Sequence, residues 1–359
     1  MTDTAETRWE SHNEAGRRHF TQGDYAKAEQ AFIAAIREAS TLGADNVRLA
    51  ASLNNLGQLK YRQKDLAQAE ALFRRSLAMR ERVLGPDHLS LVQSLNNLAA
   101  IHYGRGELEQ AEPLFRRSLQ ISEKHLGEKH ADVAVTLNNL ARLYFRRNDY
   151  ASAAPLLLRL LAIKEEALGP EHPEVASILT SLAKVRSAQG EHDAAEQLAR
   201  RVVAIREKIH SPDDPAIAMS LEALADVYAN RGKVREAHDL RARALAIREL
   251  AFGPDHPSVA TARAALEMKR AAAQSPTPGD PTGDMPVVRD TPPSAPSAIT
   301  TPPAPPAEPI DLLPQPPIVE QLAAADDVVP AAPPPPPQPP AKGPPEGAGP
   351  MNDWPRRPE

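Results

Sequence analysis

Apolar residues along most of this chain recur at alternating three- and four-residue intervals, and the blocks they form return with a fixed period. Leu53-Asn54-Asn55-Leu56-Gly57 comes back as Leu95-Asn96-Asn97-Leu98-Ala99 and as Leu137-Asn138-Asn139-Leu140-Ala141, each step 42 residues long. Weaker copies start at Leu179 and Leu221, an irregular first copy begins near His12, and a half copy from Arg263 to about Ala273 closes the series. A period of this length, with no strand-like alternation, is the mark of stacked helical pairs. In the fourth unit Val133, Leu137, Leu140, Ala141 and Tyr144 share one helical face. Arg147-Asn148-Asp149 breaks that helix, with Asp149 as the expected N-cap of a second one. The second helix passes through Ala153, Leu157, Leu160 and Ile163 and stops at Gly169-Pro170, a glycine suited to the C-cap followed by a helix-incompatible proline. The predicted architecture is all-α: six helix-turn-helix repeats at about 12–52, 53–94, 95–136, 137–178, 179–220 and 221–262, a capping helix at 263–273, and a lead-in at 1–11.

Small residues fall where paired helices must approach: Gly16, Gly57, Ala99 and Ala141 in first helices, Ala28, Ala69, Ala111 and Ala153 in second ones. Pro113 and Pro155 sit inside second helices, a local cost of about 3 kcal/mol that packing must offset. Other recurrent features are the Gly23-Asp24-Tyr25 turn, the segment Ala111-Glu112-Pro113-Leu114, and Leu-Gly-Pro-acidic-His closures at 84–88 and 168–172, the last repeated with Phe252 up to His256. Together these resemble tetratricopeptide repeats of the 42-residue kind found in kinesin light chains. The resemblance covers about residues 12–270 and implies a right-handed α-solenoid whose first helices line a concave, peptide-binding groove. Two departures are Lys60 and His102, where the tyrosine slips to Tyr61 and Tyr103; repeats five and six also replace the asparagine pair by Thr180-Ser181 and Glu222-Ala223.

Composition divides the chain. Of 37 prolines, nine lie before residue 271 and 28 after it. So proline-rich a stretch cannot carry a long helix or a ladder, and residues 274–359 are expected to be a disordered tail. The tail holds Arg289, Lys342, Arg356 and Arg357 against eleven acidic residues, net −7, which leaves 38 basic and 36 acidic residues in the body. A nearly neutral body argues against nucleic acid as a partner. The chain has no cysteine, hence no disulfide or thiolate chemistry. Residues 1–10 are polar and mixed in charge, unlike a signal peptide, and no apolar run approaches the ~20 residues of a membrane span. The expected address is cytoplasmic, with no membrane partner.

Beside the packing stripe Leu53, Leu56, Gly57 and Lys60, a second stripe of repeat two carries Asn54, Gln58, Tyr61 and Arg62, with Asn55 adjacent. Repeat three offers Asn96, Asn97 and Tyr103, and repeat four Asn138, Asn139, Arg142, Phe145 and Arg146. Asparagine amides both donate and accept, so they can pair with any peptide backbone. The rings suit an apolar anchor and the arginines an acidic ligand. The alternative is that the asparagines form a ladder between neighbouring helices and the rings only pack. At ~8–10 Å per helix and ~3.3 Å per extended residue, three such repeats would hold about seven to nine ligand residues.

His88, His130, His172 and His256 suggest a metal, but residues a repeat apart cannot share an ion with bonds of about 2 Å, so they are expected to cap the following helices. The arginine pairs 74–75, 116–117 and 200–201 follow Glu70, Glu112 and Glu196 by four residues, which favours intrahelical ion pairing over nucleic-acid contact. Gly104-Arg105-Gly106 lacks the rest of a dinucleotide fingerprint and a preceding strand. No cofactor and no catalysis are expected. The run 333–340 should form polyproline II, as a spacer or a ligand for SH3-like or WW-like grooves. Met351-Asn352-Asp353-Trp354 is similar to the tryptophan-acidic peptides that kinesin light chain repeats bind. The resulting expectation is a protein-binding adaptor or scaffold. Its alternatives are a self-assembling structural protein and a groove closed by its own acidic tail.

Overall fold

The structure, a computed structural model, describes residues 4–274. Among them are thirteen helices and no strand. The first helix of each pair is α1 (Ala5–Thr21), α3 (Val47–Arg62), α5 (Leu91–Arg105), α7 (Ala131–Arg146), α9 (Pro173–Ala188) and α11 (Pro215–Asn230). The second helices are α2 (Tyr25–Thr41), α4 (Leu66–Leu84), α6 (Leu108–Leu126), α8 (Tyr150–Leu168), α10 (His192–Ile209) and α12 (Val234–Phe252), and α13 (Pro257–Gln274) closes the stack. Each helix packs on its predecessor and successor, which makes a solenoid. The expectations placed on the proline-rich tail, its polyproline run and Trp354 lie outside the described residues.

Local chemistry explains the punctuation. Asp24, Asp65 and Asp149 cap second helices, their carboxylates accepting the backbone N–H of Lys27, Gln68 and Ser152 at 3.1–3.2 Å. Gly85, Gly127, Gly169 and Gly253 end second helices at φ of 84–88°, where a side chain would be strained. The histidine series sits at helix starts: His130 and His172 cap α7 and α9, His88 lies ahead of α5 and His256 ahead of α13, and Nδ1 of each accepts the backbone N–H two residues on at 3.2 Å.

Helix α1 begins at Ala5, so most of the expected lead-in is helical. Its Trp9 is buried, donates from Nε1 to Ser52 Oγ at 2.8 Å, and lies 5.6 Å from the Arg48 guanidinium. The core runs between the layers of first and second helices. Phe32, Phe73 and Phe115 occupy equivalent second-helix positions and are almost wholly buried, each contributing about 1.5–3 kcal/mol. They press on the small residues opposite: a Cβ on Gly16 would stand 2.4 Å from the Phe32 ring, and one on Gly57 2.7 Å from Phe73.

The first arginine of each pair is held in ion pairs. Arg74, Arg116 and Arg200 reach Glu70, Glu112 and Glu196 one turn back at 2.7–2.9 Å. Each glutamate also receives a cation from the next repeat: Arg105, Arg147, and Arg231 with Lys233. A further set crosses between repeats, in the series Arg117–Glu81, Arg159–Glu123, Arg201–Glu165 and Arg243–Glu207 at 2.5–2.6 Å. Half-exposed pairs of this kind contribute about 0–1 kcal/mol each, but the series ties every second helix from α4 to α12 to the next.

Candidate binding groove

Consecutive first helices meet through amides. Asn54 is fully buried, donates to Gln93 Oε1 at 2.8 Å and accepts from Asn97 Nδ2 at 3.2 Å. Asn55 donates to Asn13 Oδ1 at 2.9 Å, and the fully buried Asn96 donates to Thr136 Oγ1 at 3.1 Å. First asparagines thus reach forward and second ones back. The amides of Asn54, Asn55, Asn96 and Asn97 are taken up between neighbouring first helices. In repeats five and six Thr180 and Ser181 donate into their own helix, while Glu222 pairs with Arg248.

Above this ladder a cavity of about 560 Å³ opens across α3, α5 and α7. It brings together seven of the residues singled out from the sequence: Gln58, Tyr61, Arg62, Asn97, Tyr103, Asn139 and Arg142. Asn138 is half-buried and stands outside it; Phe145 lines a different cavity. Exposed Arg146 donates to the Tyr103 carbonyl at 2.7 Å. The guanidinium carbons of Arg142 and Arg146 lie 5.5 and 5.1 Å from the Tyr103 ring centroid, cation–π contacts worth about 0.5–2 kcal/mol each. Tyr25, the first residue of α2, and Lys64, in the turn before α4, complete the rim; both lie off the first-helix stripe that marked the other residues. Lys60, on the packing stripe, bonds Glu29 at 2.6 Å.

Two properties set the chemistry. Arg62, Lys64 and Arg142 line the cavity, no Asp or Glu does, and none of the three forms an ion pair among the described residues. On the floor, Gln58 is 6% exposed and its Nε2 has no hydrogen-bond partner among the described residues.

A second cavity, of about 360 Å³, follows along the same face across α9 and α11. It is lined by Phe145, alanines 183, 188, 199 and 223, hydroxyls of Thr180, Ser187 and Ser220, and the opposed charges Lys184 and Asp226. Small, chemically quiet residues of this kind carry no sequence signal, and only Phe145 pointed here.

Five overlapping windows, 10–82, 49–124, 90–166, 132–208 and 175–249, match the tetratricopeptide repeat family. Among solved structures, nearly identical TPR-like repeats of a kinesin light chain kind from Podosopora anserina are 27% identical, covering 57% of this chain and 97% of that one at a TM-score of 0.53. The pilF protein of Pseudomonas aeruginosa (15% identical, covering 73% and 99%, TM-score 0.52) and the apo form of RapI (16%, 74% and 97%, 0.50) share the fold alone. No curated protein matches in sequence. With the repeat pattern matched over residues 10–249 and the helix pairs stacked as described, the chain belongs to the tetratricopeptide repeat family, with repeats of the kinesin light chain-like kind.

Proposed function

We propose that the chain is a non-catalytic adaptor that holds an extended, acidic peptide segment of a partner protein across its first helices. The family is a protein-interaction scaffold type and generally non-catalytic. One observation carries the specific reading: a buried amide donor without a partner, Gln58 Nε2, on the floor of a cavity whose charged lining is wholly cationic. A buried unsatisfied donor costs about 1–3 kcal/mol, which a ligand carbonyl would recover. Carboxylates would meet Arg62, Lys64 and Arg142, and Tyr61 and Tyr103 offer faces for an apolar side chain. Asn97 and Asn139 bring further amides to the same floor.

The test is affinity capture with the wild-type chain beside an Arg62→Glu/Arg142→Glu variant. Partners retained by the first and lost by the second are groove ligands. Identical partner sets would remove this reading.

A further inference from the structure

The two cavities lie on one face and meet at α7, where Arg142 lines the first and Phe145, three residues on, lines the second. Their chemistry differs in kind. The first carries three cations without acidic partners and an unsatisfied amide. In the second, Asp226 is already paired with Arg241 at 2.7 Å, Lys184 is exposed, and the other polar groups are engaged: Thr180 donates to the Ala176 carbonyl at 2.9 Å, Ser220 to the Ile217 carbonyl at 2.7 Å, and Asn230 to Ser187 Oγ at 3.0 Å. What the second half offers a ligand is therefore alanine methyl groups, Val202, Val227 and the Phe145 ring. A charged residue seated against these methyl groups would lose hydration.

We infer that the groove takes a two-part peptide: an acidic block over α3–α7 and, at a fixed distance, an uncharged block of small aliphatic residues over α9–α11. This rests on the peptide-binding reading above and extends it to the ligand's sequence pattern. The distance follows from the fold. The centres of the cavities are two to two and a half first helices apart, about 16–25 Å at ~8–10 Å per helix, which an extended chain spans in about five to eight residues. Joining two modest sites through one chain raises affinity beyond either alone, because the second contact forms within the complex. The uncharged half also sets specificity, since an acidic peptide continuing as acidic would have to bury charge against alanine.

The experiment is selection of a random peptide display library on the full chain, followed by titration of synthetic versions of the selected peptides. Selected sequences should combine an acidic cluster with an uncharged aliphatic block five to eight positions away. Arg62→Glu/Arg142→Glu should weaken them about tenfold or more. Ala188→Glu/Ala223→Glu, at two positions not fully buried, should weaken them by about the factor lost on cutting off the aliphatic block, and the truncated peptide should not distinguish that variant from wild type. Ala223→Leu, which adds volume without charge, should keep the protein folded and shift the preferred aliphatic residue to a smaller one. Selected peptides with an acidic block alone, bound equally by wild type and the alanine-site variant, would overturn the two-part ligand and leave the acidic-groove reading standing. Peptides insensitive to the arginine reversal, or no selected peptides at all, would overturn both.

Discussion

Asn97 Nδ2 donates to Asn54 Oδ1 at 3.2 Å, joining α5 to α3 between residues 43 positions apart. Asn54 in turn donates to Gln93 at 2.8 Å and is wholly buried, so one side chain serves two partners in a place water does not reach. Replacing Asn54 by alanine should strand both partners and destabilise the chain by about 2–3 kcal/mol. Asn97→Ala, at a position that also lines the cavity, should cost less stability and more binding. Urea unfolding followed by helical circular dichroism, with titration of a selected peptide, separates the two effects. Equal stability losses would mean the ladder is not polarised as the hydrogen bonds indicate.

Acid should dissolve a specific junction. Burial of Glu196 acts to raise its carboxyl pKa, but hydrogen bonds from Lys233 and Arg200 outweigh it and hold the group at about 2, against an ordinary 4.5. A depressed folded-state pKa means stability that is present above the unfolded value and is lost as pH falls through the folded one. The wild-type advantage over Glu196→Gln should therefore be full near pH 6 and shrink between about 4.5 and 2. Melting temperatures across that range measure it. A constant gap would show that Glu196 contributes packing rather than charge.

Much of this was legible in the sequence, for a physical reason. A solenoid stacks one unit many times, so the same residue types must recur at the same spacing, and the caps at Asp149, Gly169 and His172 followed from local backbone needs alone. The groove was half legible. The stripe on the first helices identified Gln58, Tyr61, Arg62 and Arg142 as neighbours, but the rotation between repeats carries Asn54 and Asn96 under the next helix rather than into the cavity. The interrepeat ion pairs also carry a sequence signal: Glu81, Glu123, Glu165 and Glu207 form one 42-residue series, Arg117, Arg159, Arg201 and Arg243 another, offset by 36. Their meeting depends on the tilt between stacked second helices, which periodicity alone does not contain.

Close helix contact in the first repeat depends on a missing side chain. A Cβ at Gly16 would lie 2.4 Å from Phe32, a buried ring with little room to turn. Gly16→Ala should destabilise by about 1–3 kcal/mol despite alanine's better helix propensity. The fourth repeat pairs Ala141 with Leu157 at the equivalent positions, both buried, so Phe32→Leu should recover part of the loss. Thermal unfolding of both single variants and the double variant tests this: strictly additive losses would mean that the ring and the glycine do not constrain each other.

Charge also bears on how the groove is kept. Residues 275–359 carry net −7, while the first cavity presents Arg62, Lys64 and Arg142 without acidic neighbours. A tethered acidic segment acts at an effective concentration that can reach the millimolar range, enough to compete with a modest free ligand. If the tail occupies the groove, a chain ending at residue 274 should bind a free acidic peptide more tightly than the full chain does. The difference should shrink as salt is raised from about 50 to 300 mM, because screening weakens the tethered and free contacts alike. Arg62→Glu/Arg142→Glu should abolish the difference along with the binding. Fluorescence anisotropy with a labelled selected peptide reads all three. Equal affinities for the long and short chains at low salt would show that the acidic tail leaves the groove open, and the two-part peptide would then compete only with other proteins for it.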